Sequence, residues 1–145
     1  MAVRVKLRIK TRGEKQEEVE TVALVNSGFE TDTPQLLVPE LLAKKLNIWE
    51  KIPLEARIEG YGGVGGPIRV YVIPEALEVS ILEEDIETKS IVSDAVVAEG
   101  EQEVLISDYL AGLLGIIVED FREGLWRIRE KPEVIRKTYK PQYWV

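Results

Sequence analysis

Cysteine and histidine are both absent from these 145 residues. Without cysteine there is no disulfide and no thiolate nucleophile. Without histidine the usual general base and the commonest metal ligand are missing. Serine or cysteine triads and zinc sites built on imidazole are therefore excluded. Long apolar runs are lacking too, none approaching the ~18 residues of a membrane span. Basic residues are outnumbered, 19 Lys and Arg against 26 Asp and Glu, and the net charge of −7 argues against a general nucleic-acid binder. Residues 1–5 alternate charge and lack a signal-peptide core. The expectation is a cytoplasmic protein with no membrane or nucleic-acid partner, no metal and no cofactor. What is present is an apolar fraction of 45%, enough for the core of one domain. Abundant Glu, Lys, Ile and Val fit a thermophile.

Along the chain, period-two alternation dominates. Val3, Val5, Leu7 and Ile9 alternate with Arg4, Lys6, Arg8 and Lys10, predicting a strand with one apolar and one basic face. After the turn 11–15, residues 19–25 return as its hairpin partner. Residues 36–38 form a short strand, and Pro39 opens a helix whose predicted inner face is Leu41, Leu42 and Leu46, with Asn47 as its cap. Strands are predicted over 54–59, 68–73, 77–82, 88–97, 104–106, 116–118 and 125–128. Ser107 and Asp108 are both good N-caps for a short apolar helix that ends at Gly115. Many short strands with two short helices indicate an all-β, barrel-like domain.

One stretch organises the rest. Val22-Ala23-Leu24-Val25 is an apolar, β-branched run that stops at Asn26-Ser27-Gly28, followed by Phe29. The run reads as a buried strand and the triplet as a tight turn, with Gly28 supplying a backbone conformation closed to other residues. A polar side chain at the mouth of a buried strand is costly unless hydrogen-bonded, so such a place often marks a site. A second feature is Gly60-Tyr61-Gly62-Gly63-Val64-Gly65-Gly66-Pro67, five glycines in eight residues between two strands. It lacks the Gly-Lys-Ser/Thr ending and following helix of a phosphate loop. It reads instead as a mobile hairpin.

Apolar-apolar-Asp-Ser/Thr-Gly, then a hydrophobic strand and a short helix, is the signature of retropepsin-like aspartic peptidases, and residues 3–128 resemble it with Asn26 in place of the catalytic Asp. The resemblance implies a closed acid-protease barrel, one lobe per chain, and a homodimer in which each subunit supplies position 26 at a twofold axis. It implies a catalytic turn of Asn26, Ser27 and Gly28. It implies a flap carrying Tyr61, Gly62, Gly63, Val64 and Gly65, which together with Phe29 and Glu30 would contact a peptide or unfolded-protein substrate. Two carboxylates sharing one proton supply base and acid in that family. An amide cannot serve as the base, so the chain as written is expected to be inactive. The otherwise intact site favours an engineered Asp→Asn replacement. The alternative is a naturally non-catalytic module that binds peptides or a partner protein on the same fold.

Other features read more plainly. Ile106 stands where the family has a Gly that lets the strand pass close behind the turn, which predicts altered packing there. Asp108 reads as a helix cap. Glu30 and Asp32 read equally as substrate contacts or solvated turn residues. The acidic run Glu83-Glu84-Asp85 reads as a solvated loop, and Arg4, Lys6, Arg8 and Lys10 as an exposed face. Residues 1–130 are expected to form the peptidase-like domain. Residues 131–145, with Tyr139, Tyr143 and Trp144, read as an extension packing on the domain or the dimer interface. In the family, terminal segments of both subunits interleave into the dimer sheet, and this tail extends beyond that pattern.

Overall fold

The computed structural model describes residues 2–49, 57–63 and 66–145, with side chains described outside 50–69. The chain runs β1 (Arg4–Thr11), β2 (Glu18–Val25), β3 (Gln35–Pro39), α1 (Glu40–Lys45), β4 (Arg57–Gly63), β5 (Gly66–Glu83), β6 (Ile86–Glu87), β7 (Ile91–Ala98), β8 (Val104–Ile106), α2 (Asp108–Leu114), β9 (Ile116–Asp120), β10 (Leu125–Ile128) and β11 (Lys131–Lys137). The fold is mostly β with two short helices. Strands β1-β2-β8-β3-β7-β5 pair in that order, and β5 pairs back onto β1 to close a six-stranded barrel. Closure joins the first and last strands of the barrel. The β2–β8 and β3–β7 pairs are parallel, whereas β3–β8 is antiparallel.

Alternation explains the barrel interior. Val3, Val5, Leu7 and Ile9 point inward together with Leu36, Val38, Leu77, Val79, Ala95, Val97, Val104 and Ile106, all fully buried. The odd partners of β3, β7 and β5 are apolar too. Leu37, Val96, Ala98, Val70 and Val72 form a second buried cluster on the opposite face, joined by Phe29 and Leu105. Strands buried on both faces read as continuous apolar runs, as Ala95-Val96-Val97-Ala98 does.

Two separately predicted strands, 68–73 and 77–82, are one. β5 continues through Pro74, with a register shift between Ile73 and Leu77 and Glu75 at φ 49°. This bulge lets its first half pair with β4 and its second half with β1. The predicted strand over 54–59 is described only from Arg57 onward, and residues 54–56 lie outside the described residues. In α1 the inner face is corrected: Leu42 and Leu46 are buried, but Leu41 is 45% exposed. Leu42 and Leu46 lie four residues apart on one face, whereas Leu41 is turned about 100° away from Leu42. Asn47 sits just past it at φ 58°, the left-handed geometry that ends helices.

β9, β10 and β11 form a separate antiparallel sheet. The acidic run is a solvated turn at Glu84 and Asp85, as expected, but it is also paired. Arg136, only 7% exposed, bonds both carboxylate oxygens of Asp85 at 2.7 Å and Glu83 at 3.0 Å. Lys131 pairs with Asp85 at 3.1 Å, and the Tyr139 hydroxyl donates to Glu83 at 2.5 Å. These bonds tie the end of the chain to the β5–β6 hairpin. The basic face of β1 is partly covered as well: Arg4 pairs with Glu103, and Lys6 lies 4.8 Å from the Tyr139 ring centre.

This latch carries a pH dependence. The Arg136 and Lys131 hydrogen bonds hold the Asp85 carboxyl far below its usual range. Its contribution is therefore present above the unfolded carboxylate pKa, about 4, and lost as pH falls below that. Burial, and then the Glu83 hydrogen bond, raise the Tyr139 phenol to about 12. That contribution is complete below about 10, the unfolded value, and is lost as pH rises through the folded one. The melting temperature of Arg136→Met relative to parent, measured by circular dichroism from neutral pH into acid, is expected to show a deficit at neutrality that shrinks as pH falls below about 4. A deficit that is the same in strong acid as at neutrality would refute the latch.

Candidate functional site

The organising turn sits where β2 leaves the barrel. The Asn26 amide N–H donates to the carbonyl of Ile106 at 3.2 Å, so the end of β8 holds the end of β2. One residue earlier, the Val25 N–H donates to the Val3 carbonyl at 3.0 Å. The Phe29 N–H donates to the Asn26 carbonyl at 3.1 Å, which closes a four-residue β-turn. Inside it, the Asn26 side-chain Oδ1 accepts the Gly28 N–H at 3.0 Å. Asn26 is half-buried, with its amide fixed from both backbone and side chain. Ser27 and Gly28 are exposed.

The role of Gly28 differs from the expectation. Its φ is not in the left-handed region. A Cβ at that position would lie 3.3 Å from Asn26 Oδ1, a tight contact that glycine relieves. Phe29 turns inward onto Leu37, Val70, Val72, Val96 and Ala98, while Glu30 and Asp32 are exposed. The turn is therefore a polar point beside an apolar face.

Ile106 is fully buried and points into the barrel, yet its strand stays in register with β2. The position where β8 becomes α2 is Ser107, which is fully buried and caps the helix. Its Oγ accepts N–H groups from Leu110 and from Gln35, each at 3.2 Å. Asp108 is the first helical residue rather than the cap. Its Oδ1 accepts the Thr31 N–H at 3.0 Å and its N–H donates to the Phe29 carbonyl at 3.0 Å, so it pins the loop that follows the turn. Ser107→Ala leaves two buried donors without their acceptor and is expected to cost about 1–2 kcal/mol. Urea unfolding checks this, and an unchanged midpoint would contradict it.

Sequence reasoning missed a polar chain that joins the buried Gln35 and Asp94 through the exposed Thr33. Gln35 Nε2 donates to Thr33 Oγ1 at 3.1 Å, and Thr33 Oγ1 donates to Asp94 Oδ2 at 2.8 Å. Asp94 Oδ1 accepts the N–H of Glu75 at the β5 bulge. Gln35 and Asp94 are partners in the β3–β7 register. The available signal was a Gln and an Asp interrupting otherwise apolar strands.

The glycine-rich hairpin is formed by β4 and β5, with Tyr61 opposite Ile68, Gly62 opposite Pro67 and Gly63 opposite Gly66. Val64 and Gly65, the expected flap tip, lie outside the described residues, as does the Tyr61 side chain. Among the described residues no helix is long and apolar enough to cross a membrane. The fold and turn define the class, a closed six-stranded β-barrel with a polar turn set against apolar strands. Compared with models of known protein families the chain matches none, and no curated protein matches it.

Proposed function

We propose that this chain is an aspartic endopeptidase of the retropepsin-like type by descent, working as a homodimer on extended peptide or unfolded protein. It is inactive here because Asn26 replaces the catalytic Asp. The observation that carries the reading is the fixing of position 26. One polar side chain stands at the end of a buried strand, held by Ile106 behind it and by the Gly28 N–H in front. Phe29 and the apolar face of β3, β5 and β7 lie beside it, and a glycine-rich hairpin is built by β4 and β5.

With Asp at position 26, two such turns facing across a twofold axis would place two carboxylates close enough to share a proton. One takes a proton from water while the other protonates the substrate carbonyl oxygen. Asn26 keeps the shape of this group and its Gly28 hydrogen bond but has no basic lone pair to offer at neutral pH. A second reading follows from the same residue. Native to the protein, Asn26 would make it a non-catalytic peptide- or protein-binding module with the same cleft.

The test is Asn26→Asp, assayed on an unfolded protein with sedimentation measured alongside. Cleavage by a dimeric variant supports the peptidase reading. A variant that binds peptide without cutting it supports the module. A strict monomer at micromolar concentration overturns both dimeric readings.

A further inference from the structure

The two strands that carry the site are joined by very little. β2 and β8 run parallel and share three register pairs, Ala23–Val104, Leu24–Leu105 and Val25–Ile106. So short a parallel ladder is weak on its own, and before Ala23 the β2 strand has no β8 residue beside it.

The segment 138–145 occupies that place. Gln142 Oε1 accepts the Val22 N–H at 2.9 Å, and the Trp144 indole N–H donates to Thr21 Oγ1 at 3.0 Å. The Trp144 backbone N–H donates to the Gln102 carbonyl at 2.7 Å, two residues ahead of β8. At its other end the segment holds β1. Thr138 Oγ1 accepts the Arg4 N–H at 2.7 Å, and the Tyr139 N–H donates to the Arg4 carbonyl at 3.0 Å. Arg4 in turn pairs with Glu103, again just ahead of β8. Beside Arg4, the Val3 carbonyl accepts the N–H of Val25, the residue before Asn26.

We infer that the segment 138–145 is a brace that sets the position of Asn26, with Thr138, Gln142 and Trp144 as positioning residues. It grips the leading ends of β2 and β8 together and fixes the β1 residue that holds Val25. The chain reaches this role through Arg136 and Tyr139, whose bonds to Glu83 and Asp85 anchor the start of the brace on the barrel. The catalytic consequence rests on the peptidase reading, whereas the mechanical one does not.

Amide hydrogen exchange read by NMR on the full chain tests the mechanics. Gln142→Ala and Thr138→Val are expected to speed exchange of the Val25 and Asn26 amides about fivefold or more. Amides of Val79 and Val96, on the far strands, are expected to keep their rates. Thr138→Ser retains the hydroxyl and is expected to match the parent. Unchanged exchange at Asn26, or equal acceleration everywhere, overturns the brace. In the Asn26→Asp chain the same substitutions are expected to lower kcat about tenfold with KM kept within about twofold. An unchanged kcat in an active parent overturns the catalytic part. An inactive parent counts against the peptidase reading, and the exchange rates then decide the brace alone.

Discussion

Asn26→Asp is expected to raise cleavage of an unfolded protein substrate by on the order of a thousandfold or more. The size follows from what the substitution adds. Asn and Asp are nearly isosteric, so the turn closed by the Phe29 and Gly28 N–H groups needs no rearrangement. The bond from the Gly28 N–H becomes charge-assisted and therefore stronger. Added is a group able to lose a proton and, in the proposed homodimer, to share one with its counterpart across the twofold axis. Two carboxylates so close titrate as a pair, so the rate is expected to peak in acid and to fall at neutral pH as both ionise. The control is Asn26→Leu, which removes polarity and is expected to stay inert. If the Asp chain keeps its fold and sediments as a dimer but cleaves nothing from about pH 3 to 7, descent from an aspartic peptidase loses its support.

What could be read from the sequence divides along a physical line. Local periodicity was legible. The alternation of Val3 to Ile9, the strand ending at Asn26, and the helix capped at Ser107 and closed at Gly115 all follow from neighbours a few residues apart. Gly115 adopts φ 79° as a helix-ending glycine does. Features set by long-range contacts were not legible. The bulge at Glu75 carries positive φ on a non-glycine residue, so no glycine announced that 66–83 is a single strand. The pairing of Glu83 and Asp85 could not be read because their partner, Arg136, is more than fifty residues away and declares itself only when β11 folds back. Around the site, position 26 could be found because an apolar run stops there. The grip of Ile106 on it and the Gln35–Thr33–Asp94 chain could not, since each depends on which strands become neighbours. Ile106 shows this most directly. Its side chain takes the inward direction of the strand pleat and packs in the barrel core, which only the strand pairing decides.

Trp126→Ala is expected to lower stability by about 3–5 kcal/mol, a large share of the ~5–15 kcal/mol that holds a typical domain folded. For a chain of this size that corresponds to a melting temperature roughly 10 °C or more below the parent. Trp126 is the largest fully buried side chain. Its strand β10 lies between β9 and β11, and its indole N–H donates to the Lys137 carbonyl at 3.3 Å. The Arg136 guanidinium sits 5.8 Å from the indole ring centre while its nitrogens hold Glu83 and Asp85. Truncation therefore leaves a cavity and also loosens the support of a buried charge, which is itself costly when poorly held. Trp126→Phe keeps most of the volume but loses the indole donor, and is expected to cost about 1–2 kcal/mol. Phe121→Ala, at a 52% exposed position of the same region, is expected to stay within about 0.5 kcal/mol of parent. Thermal unfolding of the three variants separates packing from mere hydrophobicity. Should Trp126→Ala melt within a degree or two of the parent, the three-stranded sheet would lie outside the cooperative unit. The brace at 138–145, which begins where that sheet ends, would then have no rigid base from which to hold Asn26.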